Sequence, residues 1–64
     1  MNYKLHDFLD RVVPPDERVN IHHGEQCICD KCVDLFFNPE FVHIGHCNVA
    51  KIRHNLDCLE IWID

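Results

Sequence analysis

The sequence predicts an α+β fold in which an N-terminal helix packs on a small, mainly antiparallel sheet of about four strands, with a short helical insertion. Two patterns lead to this prediction. Apolar residues follow helical spacing near the N-terminus, whereas later segments alternate between apolar and polar residues as strands do. The chain has 64 residues, so we expect a single domain over 1–64.

The first predicted element is a helix over about 2–13. Its apolar residues at i, i+3, i+4 and i+7 spacing are Leu5, Phe8, Leu9 and Val12. Asn2 is a suitable N-cap, because its side-chain oxygen can accept a hydrogen bond from a free helical N–H group. Pro14-Pro15 ends the helix, since proline lacks a backbone donor and disfavours helical dihedrals in the residue before it.

Two strands and a helical insertion are predicted next. Residues 18–22 alternate as a strand, 23–25 form a turn, and 26–29 form a second strand. Asp30 is placed to cap a short helix over about 31–37. Asn38-Pro39 then combines a capping residue with a proline at the first helical position, and Gly45 ends that stretch.

The last third of the chain predicts a β-hairpin, with strands over 47–53 and 56–63 and a turn at His54-Asn55. In the second strand Leu59, Ile61 and Ile63 alternate to one side, which we expect to face the helix. The residues on the other side are Cys58, Glu60, Trp62 and Asp64. The expected core is Leu5, Phe8, Leu9, Val12, Val19, Ile21, Ile52, Leu59, Ile61 and Ile63.

Five cysteines and six histidines raise the question of a metal site. Cys27, Cys29 and Cys32 could supply zinc ligands, with a fourth from His46, Cys47 or Cys58. However, the single residue between Cys27 and Cys29 differs from the usual two-residue spacing of a zinc knuckle. The main interpretation is a protein without a cofactor, in which Cys27, Cys29, Cys47 and Cys58 are small core residues with reduced thiols. A catalytic cysteine is the third alternative, and no histidine can be assigned as its base from sequence.

The net charge of −5 restricts the classes of partner. Clustered cations are needed to neutralise phosphates, so direct binding of nucleic acid is not expected. An acidic surface instead suits a partner with a basic surface. No phosphate-binding glycine loop, nucleophile elbow or metal-hydrolase motif is present, so we expect no enzymatic activity. No apolar stretch could cross a membrane and Met1-Asn2-Tyr3-Lys4 has no signal-peptide pattern, which predicts a cytoplasmic protein.

Trp62 is the candidate for a contact residue. A domain of this size buries only ~60% of its unfolded surface and cannot cover both sides of a sheet. A large aromatic residue on the uncovered side is then an interface anchor or a minor second core. We expect a partner-binding surface at Trp62 and Glu60, with His54 and Asn55 at its rim. The same size limit, together with exposed strand edges, favours a homo-oligomer.

Several segments, taken together, resemble short proteins encoded by phages and prophages of Gram-positive bacteria. These segments are Phe8-Leu9-Asp10-Arg11-Val12, Pro15-Asp16-Glu17-Arg18-Val19-Asn20-Ile21, Val33-Asp34-Leu35, Val49-Ala50-Lys51-Ile52-Arg53 and Leu59-Glu60-Ile61-Trp62-Ile63. The cysteine group departs from that pattern. The resemblance implies a small inhibitor of a host protein, for example a component of a bacterial defence system. The alternatives are a zinc-stabilised interaction module and an oligomeric protein that sequesters a small signalling molecule.

Overall fold

The computed structural model describes residues 3–64 and confirms the α+β arrangement. In chain order its elements are α1 (Leu5–Arg11), β1 (Arg18–His23), β2 (Gln26–Lys31), α2 (Cys32–Leu35), α3 (Pro39–Ile44), β3 (Val49–His54) and β4 (Leu59–Ile63). The predicted insertion after the second strand therefore holds two short helices.

The four strands form one sheet in the order β2-β1-β4-β3. The outer pairs, β1 with β2 and β3 with β4, are antiparallel, as expected for hairpins. The central pair, β1 with β4, is parallel, with Val19 opposite Leu59 and Ile21 opposite Ile61. The sheet is therefore mixed but mainly antiparallel, and its centre joins the two hairpins of the chain.

Helix α1 buries Leu5, Phe8 and Leu9 as its spacing predicts. The expectation for Val12 is wrong, because Val12 is 52% exposed while Val13 is only 6% exposed. The last helical residue is Arg11, and Val12 is the C-cap. Past the helix end, the i+7 position no longer falls on the buried side. The predicted cap Asn2 lies outside the described residues, and Lys4 precedes the first helical residue without a side-chain cap.

Local turn and capping signals explain the connections. Gly24 has φ of 63°, which suits the first central position of the two-residue turn that joins β1 to β2. Asn38 accepts a hydrogen bond from the N–H of Glu40 at 2.9 Å and Pro39 begins α3, as predicted. Asp30 does not cap α2. Lys31 occupies the cap position, and Asp30 Oδ1 accepts from the Lys31 N–H at 2.9 Å.

The second hairpin is shorter than predicted. Leu56 is fully exposed, and the N–H of Asn55 donates to the Cys58 carbonyl at 2.9 Å, so residues 55–58 form the turn. A β-bulge interrupts β3 between Val49 and Lys51. Ile52 is half-buried against the core rather than within it.

All described helices contribute side chains to one core on one side of the sheet. The core residues are Leu5, Phe8, Leu9, Val13, Val19, Ile21, Cys32, Leu35, Phe41, Ile44, Val49, Leu59, Ile61 and Ile63. On the strands these residues alternate with half-buried or exposed ones. No helix of residues 3–64 covers the other side of the sheet.

Candidate functional site on the open face of the sheet

The side of the sheet that points away from the helices is called the open face. It is formed by alternate residues of all four strands. Its members are Arg18, Asn20 and His22 of β1, Cys27, Cys29 and Lys31 of β2, Lys51 and Arg53 of β3, and Glu60 and Trp62 of β4. The register brings them into rows across the sheet, so residues far apart in sequence become neighbours.

The open face is cationic although the chain is acidic. Its strands carry Arg18, Lys31, Lys51 and Arg53, four of the six Lys and Arg residues of the chain. Among the open-face residues of these strands, the carboxylate is Glu60. The net charge of −5 led to the expectation of a basic partner surface. The open-face side chains of the strands carry four positive charges and one negative charge, so the net charge of the whole chain does not describe this surface.

Trp62 lies on the open face and is half-buried, while Leu59, Ile61 and Ile63 point to the core. This strand phase is as predicted. The indole stacks on His22, with ring centroids 4.7 Å apart and an interplanar angle of 15°. The Lys51 ammonium lies over the same indole, 5.0 Å from its centroid. Since β1 and β3 flank β4 on opposite sides, both faces of the indole are occupied and the ring presents its edge.

Glu60 is held in place beside Trp62 by two side chains. Asn55 Nδ2 donates to Glu60 Oε2 at 2.6 Å, and His22 Nε2 lies 3.2 Å from Oε1. The hydrogen bond from Asn55 is the main cause that lowers the pKa of Glu60 below its ordinary value. The pKa is lowered further by the hydrogen bond and charge of His22 and by the charge of Arg53, whereas desolvation raises it. The carboxylate is therefore a fixed, charged acceptor in a cationic surface.

Three of the four predicted contact residues come together, and the fourth does not. Asn55 reaches Glu60 and so belongs with Trp62 at the open face. His54 lies opposite Leu59 in the ladder and points to the helix side, where its Nε2 is 3.3 Å from Glu17 Oε1. The prediction for His54 is wrong because Arg53 faces the open side, and the next residue of a strand must face away.

The cysteine group is divided between the two sides of the sheet. Cys27 and Cys29 are exposed on the open face, contrary to the expectation that they fill the core. Cys32 is 1% exposed, and its thiol donates to the Leu9 carbonyl at 3.5 Å. The turn from β2 into α2 directs the Cys32 side chain inward. Burial raises the pKa of the Cys32 thiol, and the charge of Asp10 raises it further.

This division separates the ligands of the zinc alternative. Cys27 and Cys29 lie on one side of the sheet, and Cys32 and Cys47 pack on the core at the other. Within residues 3–64, no group of three or more His, Cys, Asp or Glu side chains is placed to hold a metal ion. Of the two other candidate ligands, His46 is exposed, and Cys58 is half-buried and accepts from Asn20 Nδ2 at 3.4 Å.

Asn20 and His22 are site residues that the sequence reasoning did not identify. Both alternate with the buried Val19 and Ile21, so the strand pattern already placed them on the outer side. Their role depends on the β1–β4 register, which no local signal indicates. Asn20 Oδ1 is buried at the centre of the face and has no hydrogen-bond partner among the described residues.

Comparison of the chain with protein families, with curated proteins and with solved structures gives no match. No helix within residues 3–64 has the length and apolar character needed to cross a membrane.

Proposed function

We propose that this protein is a non-enzymatic binding protein that uses the open face to contact an acidic surface of another protein. The supporting observation is that four cations share the open face with a half-buried tryptophan, and that one of them, Lys51, lies over its ring. Complementary charge speeds encounter and selects partners, while a central aromatic residue that the partner shields from water supplies much of the binding free energy. Trp62 and Glu60 are the proposed central contacts, and Asn55 holds the carboxylate.

The arrangement of Trp62 favours a protein partner over single-stranded nucleic acid. A base needs a free aromatic face on which to stack, and His22 and Lys51 occupy both faces of this indole. Glu60 would also repel a phosphate backbone at the centre of the surface. A protein surface that offers carboxylates to the cations and a donor to Glu60 fits these groups better.

The resemblance to phage and prophage proteins supports a more specific proposal. The partner would be a host protein, such as a defence component, in the cytoplasm of a bacterial cell. Binding would inhibit it by covering its acidic surface, which requires no chemistry from the small protein.

The test compares two double variants that each remove two positive charges. Lys51→Gln with Arg53→Gln alters the open face, and Lys4→Gln with Arg11→Gln alters exposed positions at the ends of α1. A partner captured from a Gram-positive host lysate is purified, and its dissociation constant is measured with each protein. We expect about a 10-fold or greater loss for the open-face variant, which is ~1.4 kcal/mol, and less than about 2-fold for the control.

Trp62→Ala gives a second measurement on the same complex. Truncation of a central interface tryptophan typically costs ~2 kcal/mol or more, about 30-fold in affinity. Circular dichroism checks that each variant is folded. Equal affinity for all four proteins would rule out the open face as the contact surface. Recovery of a small anionic molecule in place of a protein would support the sequestration alternative instead.

A further inference from the structure

Strand β2 has a free edge with a regular geometry. It is the outermost strand next to β1, and its six residues pair with β1 without a register shift. The other outer strand, β3, is interrupted by the bulge between Val49 and Lys51. Bulges discourage pairing with further strands, whereas a regular edge of unpaired N–H and C=O groups promotes it. Among the described strands, β2 is therefore the better template for an added strand.

The residues of β2 whose backbone groups point outward can be identified. In a two-residue hairpin, the pair that closes the turn exchanges hydrogen bonds, here His23 with Gln26. The same alternation continues past the strand end, where the Cys32 N–H donates to the Glu17 carbonyl at 2.8 Å. Even-numbered residues of β2 thus bond to β1. Cys27 and Cys29 turn their backbone groups to the free edge, and their side chains lie on the open face.

We propose that β2 pairs antiparallel with β2 of a second copy of this chain, with the two-fold axis at Ile28. In this register Ile28 lies opposite Ile28 of the second copy. Cys27 lies opposite Cys29 of the second copy. Glu25, the turn residue directly before β2, lies opposite Lys31 of the second copy. The symmetry repeats the last two pairs. The result is a continuous eight-stranded sheet in which both open faces lie on the same side.

Charge complementarity selects this register over its neighbours. A two-fold axis through Cys29 would place Lys31 opposite Cys27. A two-fold axis through Cys27 would place Glu25 opposite Cys29. The Ile28 register alone of the three pairs an acid with a base, and it does so at both ends of the contact. Opposite charges directly across an antiparallel ladder stabilise it. The inference does not rest on the proposed partner, because the backbone edge of β2 carries it, although Lys31 belongs to both surfaces.

Cysteine cross-linking distinguishes the three registers. Opposed residues of a hydrogen-bonded antiparallel pair have Cα atoms about 5.5 Å apart, which is within the usual range for a disulfide. Diagonal neighbours are about 7–8 Å apart, beyond that range. One sample of Cys27→Ser and one of Cys29→Ser are prepared, and one of them is isotopically labelled. Diamide takes two electrons and two protons from each thiol pair, forming the disulfide and its own hydrazine.

The Ile28 register predicts that the two variants cross-link to one another when mixed, through Cys29 of one and Cys27 of the other, and that neither cross-links through these positions alone. Mass spectrometry of the linked peptides identifies the residues. Cross-links within the Cys27→Ser sample would indicate an axis at Cys29, and those within the Cys29→Ser sample an axis at Cys27. Either result would overturn the proposed register, as would the lack of any link at these positions.

A charge swap tests the same contact without cysteine chemistry. Glu25→Lys and Lys31→Glu each place like charges opposite one another, whereas the double variant restores opposite charges. We expect each single variant to weaken dimerisation about 5-fold or more in sedimentation equilibrium, and the double variant to recover it. Lys4→Glu, which reverses an exposed charge next to the start of α1, is the control and should leave the dimer unchanged. A monomer mass for the unmodified chain at high micromolar concentration would refute the proposal.

Discussion

The pKa of Glu60 makes the stability of the folded protein depend on pH. This pKa is lowered chiefly by the hydrogen bond from Asn55. A carboxyl group with a lowered pKa in the folded state contributes stability that is present above its unfolded pKa. That contribution is lost as the pH falls through the lowered folded value. The relevant pH window begins near the unfolded glutamate value of about 4.3 and extends below it.

Asn55→Ala should therefore raise the pKa of Glu60 towards its ordinary value and flatten the loss of stability in this window. Carboxyl titration by NMR measures the pKa, and urea unfolding across the window measures the stability. Gln26→Ala, which removes an exposed amide from the distant edge strand, is the matched control. If both variants keep the wild-type titration of Glu60, the hydrogen bond from Asn55 does not have the assigned effect.

The five thiols should react at rates set by their positions. Cys27 and Cys29 are exposed, Cys47 and Cys58 are half-buried, and Cys32 is buried under α1. Reaction of Cys32 requires local or global opening, and its raised pKa further reduces the reactive thiolate. We expect Cys27 and Cys29 to react with iodoacetamide at least about 100-fold faster than Cys32. Peptide mass spectrometry over time measures this order, and early modification of Cys32 would contradict its burial.

The end of α1 offers a test with two neighbouring valines. Val13 packs in the core, while Val12 at the C-cap is exposed. Val13→Ala should lower the free energy of unfolding by about 2 kcal/mol, through lost apolar burial and a residual cavity. Val12→Ala should change it by less than about 0.5 kcal/mol. Chemical denaturation measures both. The reverse ranking would mean that the helical spacing continues through Val12, as the sequence predicts.

Local signals account for the elements that could be predicted from the sequence. Strand alternation places Trp62 and Ile61 on opposite sides, and the Asn38-Pro39 pair begins a helix where expected. Each of these patterns can be recognised from a few neighbouring residues. Sequence proximity groups Cys32 with Cys27 and Cys29, but the junction between β2 and α2 changes the direction of the Cys32 side chain.

The open face could not be predicted to the same extent, because it depends on contacts between distant segments. The stacking of His22 on Trp62 requires the parallel pairing of β1 with β4. Likewise, Arg18 and Arg53 belong to opposite ends of the sequence and share a surface only through the strand order. A net charge averages over both sides of a molecule, so it does not reveal a cationic side on an acidic chain.

This separation of charge predicts a salt-sensitive complex. Interactions between exposed charges are screened over about 10 Å at 0.1 M ionic strength. Binding of the acidic partner through the open face should weaken at least about 5-fold between roughly 50 mM and 500 mM salt, mainly through slower association. The Lys51→Gln and Arg53→Gln variant should show a shallower dependence than the Lys4→Gln and Arg11→Gln control. Equal slopes would argue against an electrostatic role for this face.

The parallel pairing of β1 with β4 also has a consequence for how the chain reaches its native state. Each hairpin can form from neighbouring residues, but Val19 and Leu59 are forty positions apart and must close a long loop before they pair. Such closure loses chain entropy before its contacts are gained. The rate-limiting event of folding is therefore expected to be the docking of the two hairpins along the centre of the sheet. Until then, the apolar sides of both hairpins remain exposed to water and to other chains.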